Sequence, residues 1–493
     1  MSADLIIAID QGTTGSTCLV VDTDLKVLAR VNHEFPQHFP KPGWVEHDPE
    51  ELWDSALRAV TDALAKSGVG AERIAAIGIT NQRETSLIWD RKSGEPIHRA
   101  LVWQDRRTSE HCAALKAAGH EDRVRELTGL VIDPYFSGTK IAWVLDEVDG
   151  ARARAESGAL AAGTVDTYLL WRLTGGQVHA TEPSNASRTL LWPLAGGGWN
   201  DEMCDLLRVP KAVLPQVRPS AGEFGRTKGV PGLPDGIPIC GIAGDQQSAL
   251  FGQACFAEGQ AKCTYGTGAF VLLNTGSRVV QSKHGLLGTV AWQLGDTTTY
   301  ALEGSSFMAG AVVQWLRDQL GIIDSAAEIE ALAASVEDSG GVVLVPGHAG
   351  LGAPHWRPDA RGLIRGITRG TGKGHLARAA LEGIALQIAD LLEAMAADLG
   401  GPNKLLRVDG GAAANNLLMQ MQADLLGIPL DRPTMLETTA LGAISLAGLG
   451  VGLWADTQAL EKAWQQDRRF TPDPDTAKLA ALREAWRTAI EYA

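Results

Sequence analysis

An uncharged run from Ile237 to Ala243 leads directly into Gly244-Asp245-Gln246-Gln247, and no other stretch restricts the fold as much. The run reads as a buried strand, and Gln246 to Gln253 reads as the opening turns of a helix. Gly244 permits a tight strand-to-helix turn. Asp245 then stands at the C-terminal end of a strand, where ligands of open α/β sheets collect. A carboxylate there can accept a proton or hold a cation. The plain alternative is that Asp245 only caps the helix, as Asp often does.

Two hairpins flank this centre. Leu5 to Ile9 and Thr17 to Val21 read as strands joined by Asp10-Gln11-Gly12-Thr13-Thr14-Gly15-Ser16. That turn offers hydroxyls and unobstructed amides, a composition suited to phosphate oxygens. Gln260 to Asn274 repeats the pattern, with Tyr265-Gly266-Thr267-Gly268 as its turn. The repetition predicts a duplicated α/β unit with a nucleotide clamped between the copies. A chain of 493 residues also exceeds the roughly 250–300 residues at which single cores stop growing. Two domains are therefore expected, residues 1–252 and 253–493, divided just after the central turn.

Other segments fit that plan. Ile74 to Ile79 is a strand ending in Asn81-Gln82-Arg83-Glu84, where an Arg-Glu neighbour pair is commonly a surface ion pair. Leu376 to Leu399 shows a core-facing stripe at residues 380, 384, 388, 391 and 395. Val408-Asp409-Gly410-Gly411 leads through Asn415 into a helix, so backbone amides can meet a flat ligand. Thr438 to Ala455 carries no charge and approaches membrane-span length, but its four glycines read better as a tightly packed buried helix. Gly370-Thr371-Gly372-Lys373 lacks the spacing of a phosphate-binding P-loop, and Gly266-Thr267-Gly268 lacks the third glycine of a dinucleotide fingerprint.

A net charge of −14 excludes nucleic acid and an anionic membrane as partners, and no stable membrane insertion is expected. An anionic nucleotide would need a local site containing Mg2+. The six cysteines form no CxxC pair and read as reduced core residues of a cytoplasmic protein. The N-terminus shows no secretory pattern, because Asp4 and Asp10 bracket only a short apolar run.

Asp10-Gln-Gly-Thr-Thr14, Asn81-Gln-Arg-Glu84, Ser137-Gly-Thr-Lys140, Gly244-Asp-Gln246, Tyr265-Gly-Thr-Gly268 and Asp409-Gly-Gly411, in this order, resemble the FGGY carbohydrate kinases, the glycerol-phosphorylating members above all. The resemblance weakens only after about Arg468. It implies two domains of the actin/hexokinase (ribonuclease H-like) type with the active site in the cleft between them. It also implies ATP- and Mg2+-dependent phosphorylation of a terminal hydroxyl of glycerol, in a homodimer or homotetramer.

By the same resemblance, Asp245 is the catalytic base, and Asp10 holds Mg2+ together with Asp245. Arg83, Glu84, Asp245 and Gln246 bind the glycerol hydroxyls, while Trp103, Tyr135 and Phe270 wall its carbon chain. Thr13, Thr14, Gly266 and Thr267 grip phosphates, and Gly310, Gln314, Gly411 and Asn415 lie on the nucleotide side. Thr17 stands where many of these kinases carry Arg, the loop from Lys228 to Asp235 has no Arg for a sugar bisphosphate, and the tail from Phe470 lacks the family's regulatory segment. Two other readings stay open: a family member acting on a pentulose, and an actin-like ATPase that only switches a binding surface.

Overall fold

The computed structural model describes residues 3–473 and 475–493. One mixed sheet organises them. Its first half comprises β1 (Leu5–Gln11), β2 (Gly15–Asp22), β3 (Val27–Glu34), β4 (Ile74–Asn81), β5 (Ala221–Arg226) and β6 (Pro238–Gly244). Its second half comprises β7 (Gln260–Tyr265), β8 (Ala269–Gly276), β9 (Leu287–Leu294), β10 (Thr297–Ser306), β11 (Leu405–Asp409), β12 (Leu430–Pro433) and β13 (Gln466–Phe470). The spatial order is β13-β12-β11-β7-β8-β10-β9-β5-β6-β4-β1-β2-β3.

The two halves follow one plan. β1 pairs antiparallel with β2 and parallel with β4, and β4 runs parallel to β6. β7 likewise pairs antiparallel with β8 and parallel with β11, and β11 runs parallel to β12. Each hairpin expected from sequence therefore opens a ribonuclease H-like unit, and the pair makes an actin/hexokinase-type fold. Across the seam the sheet is joined by one parallel pairing, Ala221 with Leu294. Leu5 to Ala8 are fully buried, which explains their unbroken apolar run: this interior strand of the mixed sheet is covered on both faces.

Helices close the faces: α1 (Ser137–Glu147), α2 (Asp245–Gly252), α3 (Gly310–Asp318), α4 (Lys373–Leu399), α5 (Asn416–Leu426) and α6 (Thr438–Gly450). The buried residues of α4 are not confined to the expected stripe, since Ala377, Leu381, Ala385 and Leu392 are inside as well. A helix apolar on most sides lies within the core rather than on its surface.

The uncharged segment at Thr438 is α6, and it ties the halves together. It follows β12 in the chain, yet it packs Ala440, Ala443, Ile444 and Ala447 onto Ile6, Ala8 and Ala76 of the first half. It also crosses α2 at near-backbone distance. A Cβ on Gly442 would stand 1.9 Å from the Ser248 carbonyl oxygen, and one on Gly252 would stand 2.1 Å from that of Thr438. Replacing Gly442 with Ala is expected to cost about 1–3 kcal/mol through overpacking, read as a lower urea-unfolding midpoint with an unchanged slope.

Candidate active site

Three neighbouring parallel strands deliver the acidic and basic groups. β1, β4 and β6 are in register at Asp10 with Thr80 and at Asn81 with Gly244. Their C-terminal ends therefore present Asp10, the Arg83-Glu84 pair and Asp245 at one edge, the ligand-binding edge of such sheets. Gly244 has φ −60° and ψ 151°, extended backbone open to any residue, so backbone freedom is not the reason for glycine there. The reason is space: a Cβ on Gly244 would meet Arg83 Cγ at 2.7 Å. Gly244 is also the helix cap, and no side chain caps α2. Asp245 instead turns its carboxylate to the cleft with 31% of the side chain exposed, Oδ1 3.2 Å from Arg83 Nε and accepting the Gln246 amide at 2.7 Å.

Arg83 and Glu84 are 3% and 1% exposed, which overturns the surface ion-pair alternative. The Arg83 guanidinium donates to both carboxylate oxygens of Glu303, through Nη1 to Oε2 and through Nη2 to Oε1 at 3.1 Å. Glu303 also accepts Arg188 Nη2 at 2.9 Å, and Arg188 Nε donates to Glu84 Oε1 at 2.6 Å. Two guanidiniums and two carboxylates thus form a buried network fed from β10 in one half and the loops of the other. Burial pushes the Glu303 carboxyl up, but Arg188 and Arg83 outweigh it and hold the group at about 2. Burial likewise raises Glu84, with Arg83 and Arg188 pulling against it. Glu84 has φ +61°, a left-handed conformation that side chains rarely adopt, and it persists because both its carboxylate and its carbonyl, which accepts Ser137 Oγ at 3.0 Å, are held.

Beside this network lies a cavity of about 170 Å³, lined by Thr13, Arg83, Glu84, Trp103, Tyr135, Asp245, Gln246 and Phe270. All seven residues assigned to the acceptor from sequence meet here. Trp103 Nε1 donates to Thr13 Oγ1 at 2.9 Å, and its ring stands edge-on to Tyr135 at 5.7 Å. Lys140, at the start of α1, donates to the Tyr135 and Phe136 carbonyls and so fixes that wall.

The residues expected on the nucleotide side gather around the second hairpin. The Gly310 amide donates to the Gly266 carbonyl at 2.9 Å, and the Ala309 and Ala311 amides donate to that of Thr267 at 2.8 and 3.1 Å. Gly266 and Thr267 are exposed between these contacts. Gln314 lies one turn further along α3, also exposed. Gly410 has φ +86° and packs against Tyr265 so closely that a Cβ would meet its carbonyl oxygen at 2.5 Å, which sets Gly411 beside the hairpin. Asn415 caps α5 by accepting the Leu418 amide at 2.9 Å. On the first hairpin Thr14 is exposed, and Thr17 accepts Asn32 Nδ2 at 2.9 Å.

Asp10 is pushed up to about 8, by burial first and then by the charges of Asp245 and Glu437, with Arg30 opposing. Two carboxylates presented at one sheet edge suit a shared divalent cation. Among the described residues no three His, Cys, Asp or Glu side chains form a metal cage. Asp10 and Asp245 would supply the carboxylate oxygens that a hydrated Mg2+ takes besides phosphate.

Sequence reasoning missed Glu303, Arg188, Gln247 and Lys262. Glu303 sits in an otherwise ordinary strand and Arg188 in a segment without readable periodicity. Only their burial and mutual distance mark them.

A mixed α/β fold, a two-sided cleft and a polar pocket beside a hydroxyl-rich turn define a kinase of small polyhydroxy compounds. Residues 5–252 match the N-terminal domain of the FGGY family of carbohydrate kinases and residues 261–451 its C-terminal domain, so the chain belongs to that family. It is 59% identical over 495 residues to the glycerol kinase of Myxococcus xanthus (strain DK1622), covering 100% of this chain and 99% of that one. With the glycerol kinase of Trichlorobacter lovleyi it shares 58% over 486 residues, 99% of this chain and 98% of the other. The crystal structure of Plasmodium falciparum glycerol kinase with ADP superposes with a TM-score of 0.95 at 36% identity, covering 100% of this chain and 98% of that chain.

Replacing Glu303 with Gln leaves two buried guanidiniums under-compensated and is expected to cost about 3–5 kcal/mol at neutral pH. The folded-state value lies below the ordinary 4.5, so this stabilisation is complete above pH 4.5 and is lost as pH falls through about 2. Unfolding curves of both proteins from pH 7 to pH 2 should therefore converge toward the acid end.

Proposed function

We propose that this protein transfers the γ-phosphoryl group of ATP to a terminal hydroxyl of glycerol, giving sn-glycerol 3-phosphate for glycerol catabolism. The observation that carries this reading is the cavity of about 170 Å³ in which a half-open carboxylate, Asp245, faces donors, acceptors and aromatic walls next to Thr13. Membership of the family and full-length identity of 58–59% to glycerol kinases support it.

Transfer of a phosphoryl group has a loose transition state, so catalysis is chiefly positioning and charge neutralisation. In this reading residues 1–252 form the acceptor-side domain and residues 253–493 the nucleotide-side domain. Arg83, Glu84 and Gln246 orient the polyol by its hydroxyls, and Trp103, Tyr135 and Phe270 pack against its carbons. A pocket that hydrogen-bonds a hydroxyl rejects analogues lacking it far better than an apolar one discriminates by size. Asp245, oriented by Arg83 Nε, accepts the proton of the attacking hydroxyl.

The hydroxyls and amides of Thr13, Thr14, Gly266 and Thr267 hold phosphate oxygens, and Gly310, Gln314, Gly411 and Asn415 line the nucleotide. Asp10 and Asp245 would hold Mg2+, which neutralises charge on the phosphates. Closure of the two domains excludes water, the competing nucleophile. The six free, buried cysteines support work in the reducing cytoplasm, and no helix among the described residues is long and apolar enough to cross a membrane. The family resemblance favours a homodimer or homotetramer, to be checked by light scattering.

A coupled ADP-release assay with MgATP and glycerol, dihydroxyacetone, xylulose, ribulose or no acceptor tests the proposal. Rapid release with glycerol is expected, abolished by EDTA and reduced by about 10²–10⁴-fold in Asp245→Asn. Preference for a pentulose would overturn the assignment of glycerol, and release independent of any acceptor would favour the ATPase switch.

A further inference from the structure

Lys262 is a buried cation that the proposed reaction leaves unused. It lies on β7, is fully buried, and has no carboxylate within salt-bridge distance among the described residues. Its ammonium donates to two uncharged oxygens, Gln246 Oε1 and Thr264 Oγ1, the second at 3.0 Å. Burying an ammonium without a paired carboxylate is costly. Burial lowers its proton affinity, while the fields of Asp409 and Asp245 support the charged form.

The two contacts join the two sides of the cleft. Gln246 lies on α2 and lines the acceptor cavity, whereas Thr264 stands near the end of β7, just before the turn that carries Gly266 and Thr267. An ammonium has three donors and no acceptor, so the Gln246 atom facing it must be the carbonyl oxygen. Gln246 Nε2, at the other end of the carboxamide, has no hydrogen-bond partner among the described residues, and Gln246 lines the cavity. Without Lys262 the carboxamide could turn over and offer either end.

We infer that Lys262 is a positioning residue that locks the Gln246 carboxamide with its NH2 toward the acceptor, so that the pocket donates a hydrogen bond at this point and selects an alcohol or carbonyl oxygen there. The inference rests on the reading of the cavity as an acceptor site. It adds that the polarity of one contact is set from the opposite half of the fold. An acceptor hydroxyl held by Gln246 Nε2 uses its lone pair there and leaves its own proton for a carboxylate. An acceptor lacking that oxygen forfeits the contact and leaves a donor unpaired, a penalty of the kind that makes hydrogen-bonding pockets selective.

The test measures kcat and KM for glycerol and for ATP in the wild-type protein, Lys262→Met, Lys262→Arg, Gln246→Leu, Lys262→Met/Gln246→Leu and Gln246→Glu. Lys262→Met should raise the KM for glycerol about tenfold or more while the KM for ATP stays within about twofold, and Lys262→Arg should recover part of the loss. The double variant should be little worse than Gln246→Leu, because both changes remove one unit.

Gln246→Glu keeps the measurement open if Lys262→Met does not fold. It pairs with Lys262, so its melting temperature should not fall, yet it presents acceptors alone to the pocket and should raise the KM for glycerol about tenfold or more. An unchanged KM for glycerol in Lys262→Met or Gln246→Glu, a rise confined to ATP, or independent effects that multiply in the double variant would overturn the inference. A wild-type protein that phosphorylates no polyol would instead overturn the proposed function.

Discussion

The Arg83 guanidinium sets the terms for the rest of the site. It is buried at the end of β4, and a buried cation must find compensating charge or hydrogen bonds. Nothing near it in sequence suffices, since the Glu84 carboxylate stands 3.9 Å away and is engaged by Arg188. The compensation comes from Glu303 across the seam, from Gln247 on α2 at 3.2 Å, and from Asp245. Docking the two halves therefore assembles the pocket in the same act that neutralises Arg83. The same guanidinium that needs the second half for its own charge then orients the carboxylate facing the cleft.

A seam carrying only one strand pairing would be a weak joint if the sheet alone held it. The crossing of α2 and α6 supplies the rest. Gly442 and Gly252 bring two helices to near-backbone contact, and Gly78 lets β4 approach the Ala443 carbonyl, where a Cβ would stand 2.3 Å away. Asp245 is the first residue of α2, so the helix that carries the proposed base is the one clasped by the other half. Relative motion of the halves is thus coupled to the position of Asp245 rather than independent of it. For a reaction whose barrier is lowered mainly by positioning, this coupling is a direct route from fold to function.

Much of the architecture was legible along the chain. Both hairpins, the central strand–turn–helix, the long helix ending at Leu399 and the glycine-rich helix from Thr438 stand where periodicity and turn residues put them. The residues that line the cavity were named along the chain too, but only because six motifs in order resembled a family. Taken alone, Asp245 read more readily as a helix cap and Arg83-Glu84 as a surface ion pair. Tertiary contacts decided both: Gly244 takes the cap position while the Asp245 carboxylate turns to Arg83, and the Arg83-Glu84 pair is buried by distant parts of the chain. Gly244 shows the same limit. Its identity was readable, but its reason was not, because Arg83 Cγ fills the space a Cβ would need.

The order of strands and helices, the duplication and the residue types at each strand end were determined by the sequence itself, because local periodicity and turn chemistry act over a few neighbouring residues. Which charges meet was decided only by the tertiary structure. Glu303 reaches Arg83 across 220 positions, and Lys262 fixes the amide end that Gln246 shows to the pocket. Hydrogen bonds and ion pairs depend on separations of a few ångströms, and no local pattern encodes a separation between residues that the folded sheet alone brings together.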